Sequence, residues 1–110
     1  MDKYEQMYDD KYKRLVKVSD PKEVDRRADE FYNKSVFLST RKYKKYMILD
    51  NNDKWRHFGS LLYEDFTRHK NNDRREKYIK RMKGIKGNWR DDIYSPNMLS
   101  LVLLWNETLS

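Results

Sequence analysis

The chain has 110 residues, carries 25 Lys and Arg against 18 Asp and Glu for a net charge of +7, and contains no cysteine, which excludes disulfide stapling, thiol catalysis and cysteine-held metal sites. Its longest apolar run is Leu101 to Trp105, too short to span a membrane, and no charged-then-apolar leader opens it, so secretion is not expected. Leu, Ile, Val and Phe make up only 21% of the residues, close to the level at which charged chains stay disordered, so the nine Tyr and three Trp must supply much of any core.

The first segment reads as a helix. Tyr4, Tyr8, Tyr12 and Leu15 recur at helical spacing with Met7 beside them, an aromatic stripe on one face. The stripe is expected to be core, with a docking helix as the alternative. Ser19-Asp20-Pro21 ends it, and Asp20 as N-cap, Pro21 at the first position and Glu23 reaching back would open a second helix through a capping box. Val24, Ala28, Phe31 and Tyr32 give that helix its apolar face.

From Tyr43 the period changes to two. Tyr46 and Ile48 alternate with Met47 and Leu49, Asn51-Asn52-Asp53 tolerates left-handed backbone, and Trp55 and His57 alternate with Arg56 and Phe58, which predicts a β-hairpin ended by Gly59. A two-stranded hairpin is unstable alone and must pack on something. Asn71-Asn72-Asp73 then opens a helix running to about Lys83, with Gly84 suited to a left-handed C-terminal cap. Ser95 and Pro96 open the last helix, whose Met98, Leu99, Val102, Leu103 and Trp105 should be the centre of the core.

Charge is unevenly distributed along these elements. Residues 1–35 hold nine basic and nine acidic side chains, whereas Arg68 to Arg90 holds ten basic side chains against Asp73 and Glu76 alone. The chain therefore divides into a neutral helical leader or arm, residues 1–38, and a small basic module, residues 39–110. The surface of the basic helix, Arg74, Arg75, Lys77, Lys80, Arg81 and Lys83, suits contact with a polyanion, because each cation that neutralises a phosphate releases a counterion. An acidic protein surface would satisfy it equally. If the leader is a docking arm, Tyr4, Tyr8 and Tyr12 are its contact face.

His57 and His69, with Asp53, Glu64 and Asp65 nearby, do not match any established metal spacing, so no metal, cofactor or catalytic role is expected for them. Gly59, Gly84 and Gly87 form no phosphate loop, and no serine sits in a nucleophile elbow.

Several phrases taken together carry a resemblance. Lys54-Trp55-Arg56-His57-Phe58-Gly59, Tyr63-Glu64-Asp65-Phe66-Thr67-Arg68-His69-Lys70, Gly87-Asn88-Trp89, Tyr94-Ser95-Pro96-Asn97 and Leu103-Leu104-Trp105-Asn106 stand in this order. Over about residues 39–109 the chain resembles a family of small basic proteins encoded by large nucleocytoplasmic DNA viruses of eukaryotes. The resemblance carries over no catalytic residue; it implies a viral setting, in the virion and, during assembly, in the host cytoplasm or nucleus.

The sequence thus predicts an α+β fold: a helical leader, one β-hairpin, a basic helix and an apolar C-terminal helix. The expected function is that of a non-enzymatic minor capsid or virion-associated protein, with capsid or other virion proteins as partners. The alternative is a sequence-nonspecific protein that binds duplex DNA and organises the viral genome.

Overall fold

A computed structural model describes residues 3–109 of the chain and the side chains of residues 6–109. The fold is α+β. Helices α1 (Lys3–Val18) and α2 (Pro21–Tyr32) precede a three-stranded antiparallel sheet of β1 (Phe37–Leu38), β2 (Lys44–Leu49) and β3 (Trp55–Ser60), in the order β1-β2-β3. A short α3 (Phe66–His69), the basic α4 (Asn72–Lys83) and a single 3-10 turn at Trp89–Asp91 follow. The chain closes with α5 (Pro96–Leu99), which runs on into a π-helical turn at Ser100–Leu104. Among the described residues, no helix is long and apolar enough to cross a membrane.

The α1–α2 corner forms where the sequence places Pro21, whose fixed φ suits the first position of a helix. Asp20 is the N-cap residue, but its carboxylate makes no capping bond. Glu23 does not close the expected capping box either, because it pairs with Arg26 at 2.8 Å. Helix α2 ends at Asn33, in left-handed backbone with φ 54°, a conformation that Asn tolerates better than most residues.

The hairpin pairs Tyr46 with Phe58 and Leu49 with Trp55. Asp50 builds its turn: the carboxylate accepts from the backbone N–H of Asn52 and Lys54 and from Arg56 Nε at 2.8 Å, while Asp53 takes the left-handed position at φ 60°. These donors hold the Asp50 carboxyl below its ordinary pKa, the bond from the Lys54 backbone most of all.

Short elements lie outside the expected set, the 3-10 turn at Trp89–Asp91 among them. Strand β1 pairs only Phe37 with Met47 and Leu38 with Tyr46, too brief a stretch to show a period of two. Helix α3 is one turn, set by Asp65, whose side chain caps Thr67 N–H.

The core joins both parts of the chain. Leu15, Val24, Ala28 and Tyr32 from α1 and α2 form one cluster with Tyr46, Ile48 and Phe58 of the sheet and with Leu99, Val102, Leu103 and Leu104 of the C-terminal segment. The core therefore draws on residues from both sides of the boundary read at residues 38–39. The apolar C-terminal segment is central as expected, but only its first turn is α-helical. Ser95 Oγ caps α5 by accepting from Met98 N–H. The buried Arg27 guanidinium donates to the carbonyls of Val102, within the π turn, and Glu107, just beyond it.

Two glycines differ from expectation. Gly84 follows α4 in right-handed backbone, φ −85°, so it is no left-handed cap. Gly59 lies inside β3 with φ 79°, and a β-carbon there would stand 3.0 Å from Leu104 Cδ1 and 3.1 Å from Lys45 Cδ. Left-handed strain costs an L-residue about 1–2 kcal/mol and overpacking adds about 1–3 kcal/mol. Gly59→Ala should therefore lower stability by about 2–5 kcal/mol, read as a lower urea midpoint at unchanged slope.

Burial raises the phenol pKa of Tyr32, Tyr46 and Tyr78, that of Tyr78 to about 12. An unfolded tyrosine ionises near pH 10, so the stability these groups provide is complete below that pH. It falls as pH rises from about 10 toward 12, because the unfolded chain gives up its protons first. In an absorbance titration at 295 nm, these three should ionise only as the chain unfolds.

A candidate polyanion face and the cleft beneath it

Helix α4 is built for its position. Asn71 caps it by accepting from Arg74 N–H at 3.0 Å, Asp73 stands in the first turn, and Lys80, Arg81 and Lys83 stand in the last, each sign of charge at the end of the helix dipole that favours it. Met82 is buried, while Tyr78 and Ile79 are half-buried. Together they seat the helix and leave its other faces in water.

The six basic residues expected to bind a polyanion do not act as one set. Arg75 turns inward, donating to the carbonyls of Trp105 at 2.8 Å and Asn106 at 3.0 Å, so it is a structural tie in place of the binding contact expected of it. Arg74 is exposed and pairs loosely with Glu64 at 3.4 Å. Lys77, Lys80, Arg81 and Lys83 are exposed, and among the described residues none has a carboxylate within ion-pair distance. The Arg81 guanidinium lies over the Tyr78 ring, 5.4 Å from its centroid.

Three of these residues share a cleft of about 560 Å³. Helix α4 provides Arg74, Lys77, Tyr78 and Arg81, the hairpin provides Lys45, Gly59 and Ser60, and the following loop provides Tyr63 and Glu64. Ser100, Leu104 and Trp105 complete it, and Tyr78 and Trp105 stack with centroids 4.0 Å apart and planes 7° apart.

Lys45 is the residue that the sequence pattern missed. Its side chain is 2% exposed, and its ammonium donates to the equally buried Asp65 carboxylate at 3.0 Å. Burial lowers the Lys45 pKa, and the Asp65 charge opposes that shift. Asp65 also accepts from the backbone and hydroxyl of Thr67, and Thr67 contacts Ser19, whose hydroxyl meets the Tyr46 phenol at 2.6 Å. In sequence, Lys44-Lys45 reads as two polar residues at the start of a strand. Only Gly59, across the hairpin with no side chain of its own, hints that one of them passes inward.

The histidines stay apart. His57 Nδ1 meets Ser39 Oγ at 2.7 Å. His69 Nδ1 accepts from Asn71 N–H, and its ring packs against Phe66 and Trp105. Burial lowers the pKa of both, helped by Arg41 at His57 and by Arg74 at His69. Of the neighbouring acids, Asp53 sits in the hairpin turn, Glu64 pairs with Arg74 and Asp65 with Lys45. Among the described residues, His and acidic side chains nowhere gather in threes able to hold a metal ion.

The tyrosine stripe of α1 divides, contrary to the expectation that it is core. Leu15 is buried, whereas Tyr8 and Tyr12 are 55% and 41% exposed with parallel rings 6.5 Å apart. They border a shallow groove with Val36, Phe37 and Leu38. The Tyr4 side chain lies outside the described residues.

Residues 34–82 match a family described as "Family of unknown function (DUF5754)". The matched segment includes the whole sheet, α3 and most of α4, and nine of the twelve residues that line the cleft. Neither curated proteins nor solved structures give a match.

The different orientations of Arg75 and Lys80 lead to opposite expectations. Arg75→Ala removes charge-assisted bonds to two carbonyls and should cost about 2–3 kcal/mol of stability, measured by thermal or urea unfolding. Lys80→Ala, on the exposed side of the same helix, should stay within about 0.5 kcal/mol of the parent.

Proposed function

We propose that this chain is a non-enzymatic structural protein of a large DNA virus, a minor capsid or virion-associated component that holds an acidic partner through α4. The supporting observation is the run of Lys77, Lys80, Arg81 and Lys83 on the exposed part of one helix, without neutralising carboxylates among the described residues. The same helix exposes Asp73 and Glu76, but its six basic residues outnumber them, and an excess of one sign favours encounter with the opposite sign. The viral setting rests on the resemblance over residues 39–109. In this reading the partners are capsid or other virion proteins with acidic surfaces.

A second reading is sequence-nonspecific binding to duplex DNA, favoured by the basic side chains clustered along α4, each able to neutralise a phosphate. Measuring affinity for duplex DNA as a function of salt separates the two. If DNA is the partner, four phosphate contacts give a slope of log K against log salt of about −3 to −4, and converting Lys77, Lys80, Arg81 and Lys83 to Glu removes the slope. A virion role gives weak binding with a shallow slope, together with a constant ratio of this chain to capsid protein in purified particles. Loss of incorporation on the same charge reversal is the expected result for the virion role, and unchanged incorporation would defeat it.

A further inference from the structure

We propose that the cleft between α4 and the hairpin is a binding site for a nucleoside phosphate, an inference that rests on the reading that α4 carries its charge to hold an anion. Its volume of about 560 Å³ lies within the range of pockets that enclose small ligands.

The chemistry of the lining selects the ligand. Arg74, Lys77 and Arg81 are spaced three and four residues apart, which places them along one side of α4. All three line the cleft, whose only carboxylate is Glu64. The Arg74–Glu64 pair is long, at 3.4 Å, and both side chains are close to half exposed. Pairs of that kind are weak, so a phosphate, which accepts bidentate guanidinium bonds, can displace the Glu64 carboxylate from Arg74.

Lys45 also lines the cleft. An ammonium has three donors, and Lys45 is seen to use one of them, on Asp65. That carboxylate meets the Lys45 charge while the Lys45 stem packs against Gly59, so the charge offered to a phosphate comes from α4.

The aromatic lining points to a base in addition to the phosphate. Tyr78 and Trp105 are stacked on each other and form a fixed wall. Tyr63 also lines the cleft, 69% exposed, and no other aromatic ring stacks on it among the described residues. An exposed ring beside a cluster of cations is how proteins hold one nucleotide, by stacking on the base and neutralising the phosphate.

The test is isothermal titration of the full chain with adenosine 5′-monophosphate, adenosine and inorganic phosphate. The monophosphate should bind at least tenfold tighter than either half alone. Lys77→Glu with Arg81→Glu should weaken it at least tenfold. Lys17→Glu with Lys22→Glu, the same charge change on α1 and α2, should leave it within twofold. Tyr63→Ala should weaken the monophosphate about five- to hundredfold, the usual worth of one stacked base, while phosphate binding holds. Circular dichroism and melting curves confirm that each variant is folded.

A 5′-phosphorylated single-stranded oligonucleotide distinguishes the source. Tighter binding than the free nucleotide assigns the cleft to the end of a strand, and equal or weaker binding assigns it to the free nucleotide; both support the site. Absence of monophosphate binding to the parent protein overturns the site whatever α4 does with a larger partner. Indifference to Tyr63→Ala overturns recognition of the base. If the parent binds the monophosphate but retains neither DNA nor virion protein, the cleft stands and the broader reading of α4 fails.

Discussion

One buried ion pair organises this small molecule. Lys45 and Asp65 meet at 3.0 Å with 2% and 1% of their side chains exposed, and each connects a different part of the chain. Lys45 belongs to the central strand. Asp65 caps α3, receives Thr67, and donates its backbone N–H to the Val18 carbonyl at the end of α1. Through Thr67 and Ser19 the same network reaches the Tyr46 phenol, so the helical corner and the sheet share one set of bonds. Removing one partner of such a pair leaves an uncompensated buried charge, at a cost of about 3–5 kcal/mol. An exposed pair such as Arg74–Glu64 is worth less than about 1 kcal/mol. The larger figure is the one that bears on register. A one-residue slip of β2 would turn its side chains to the opposite face, separating Lys45 from its carboxylate and Tyr46 from the core.

Several basic residues serve the fold itself. Four arginines are structural ties: Arg27 to Val102 and Glu107, Arg56 to Asp50 and Asp92, Arg68 to the Ser19 carbonyl, and Arg75 to Trp105 and Asn106. A guanidinium suits that work because its planar fork can meet two acceptors at once and it carries less tightly held water than an ammonium. The lysines of α4 remain outside, where a strongly hydrated point charge loses nothing by staying wet. Net charge therefore overstates the binding surface. Exposed basic residues also stand elsewhere, Lys13, Arg14, Lys17, Arg41, Lys42 and Lys54 among them, and α4 is set apart by carrying four such residues, Lys77, Lys80, Arg81 and Lys83, within two turns.

The C-terminal segment shows how a short apolar run can anchor a charged protein. Leu99, Val102, Leu103 and Leu104 are all at or below 2% exposure. The π turn at Ser100–Leu104 leaves backbone carbonyls that α-helical bonding does not use, and the guanidiniums of Arg27 and Arg75 take up carbonyls there and just beyond. The same segment supplies Trp105 to the cleft wall. Core and candidate site are thus built from one stretch of chain.

The sequence alone determined the elements with strong local signals. Pro21 and Pro96 mark helix starts, Asn71 caps α4, and alternation around Asn51-Asn52-Asp53 marks the hairpin; each signal acts within a few residues, so no tertiary contact is needed to read it. Charge counting likewise found α4. Only the tertiary structure decided that Lys45 goes inward, that Arg75 leaves the exposed face, that Tyr8 and Tyr12 stay in water while Leu15 does not, and that Phe37–Leu38 becomes a third strand. In each case the deciding contacts come from elsewhere in the chain: Asp65 for Lys45, Trp105 for Arg75, the core cluster for Leu15, and Met47 and Tyr46 for Phe37 and Leu38. A long polar side chain follows the partner that can satisfy its hydrogen bonds, and that partner is brought within reach only when the chain has folded.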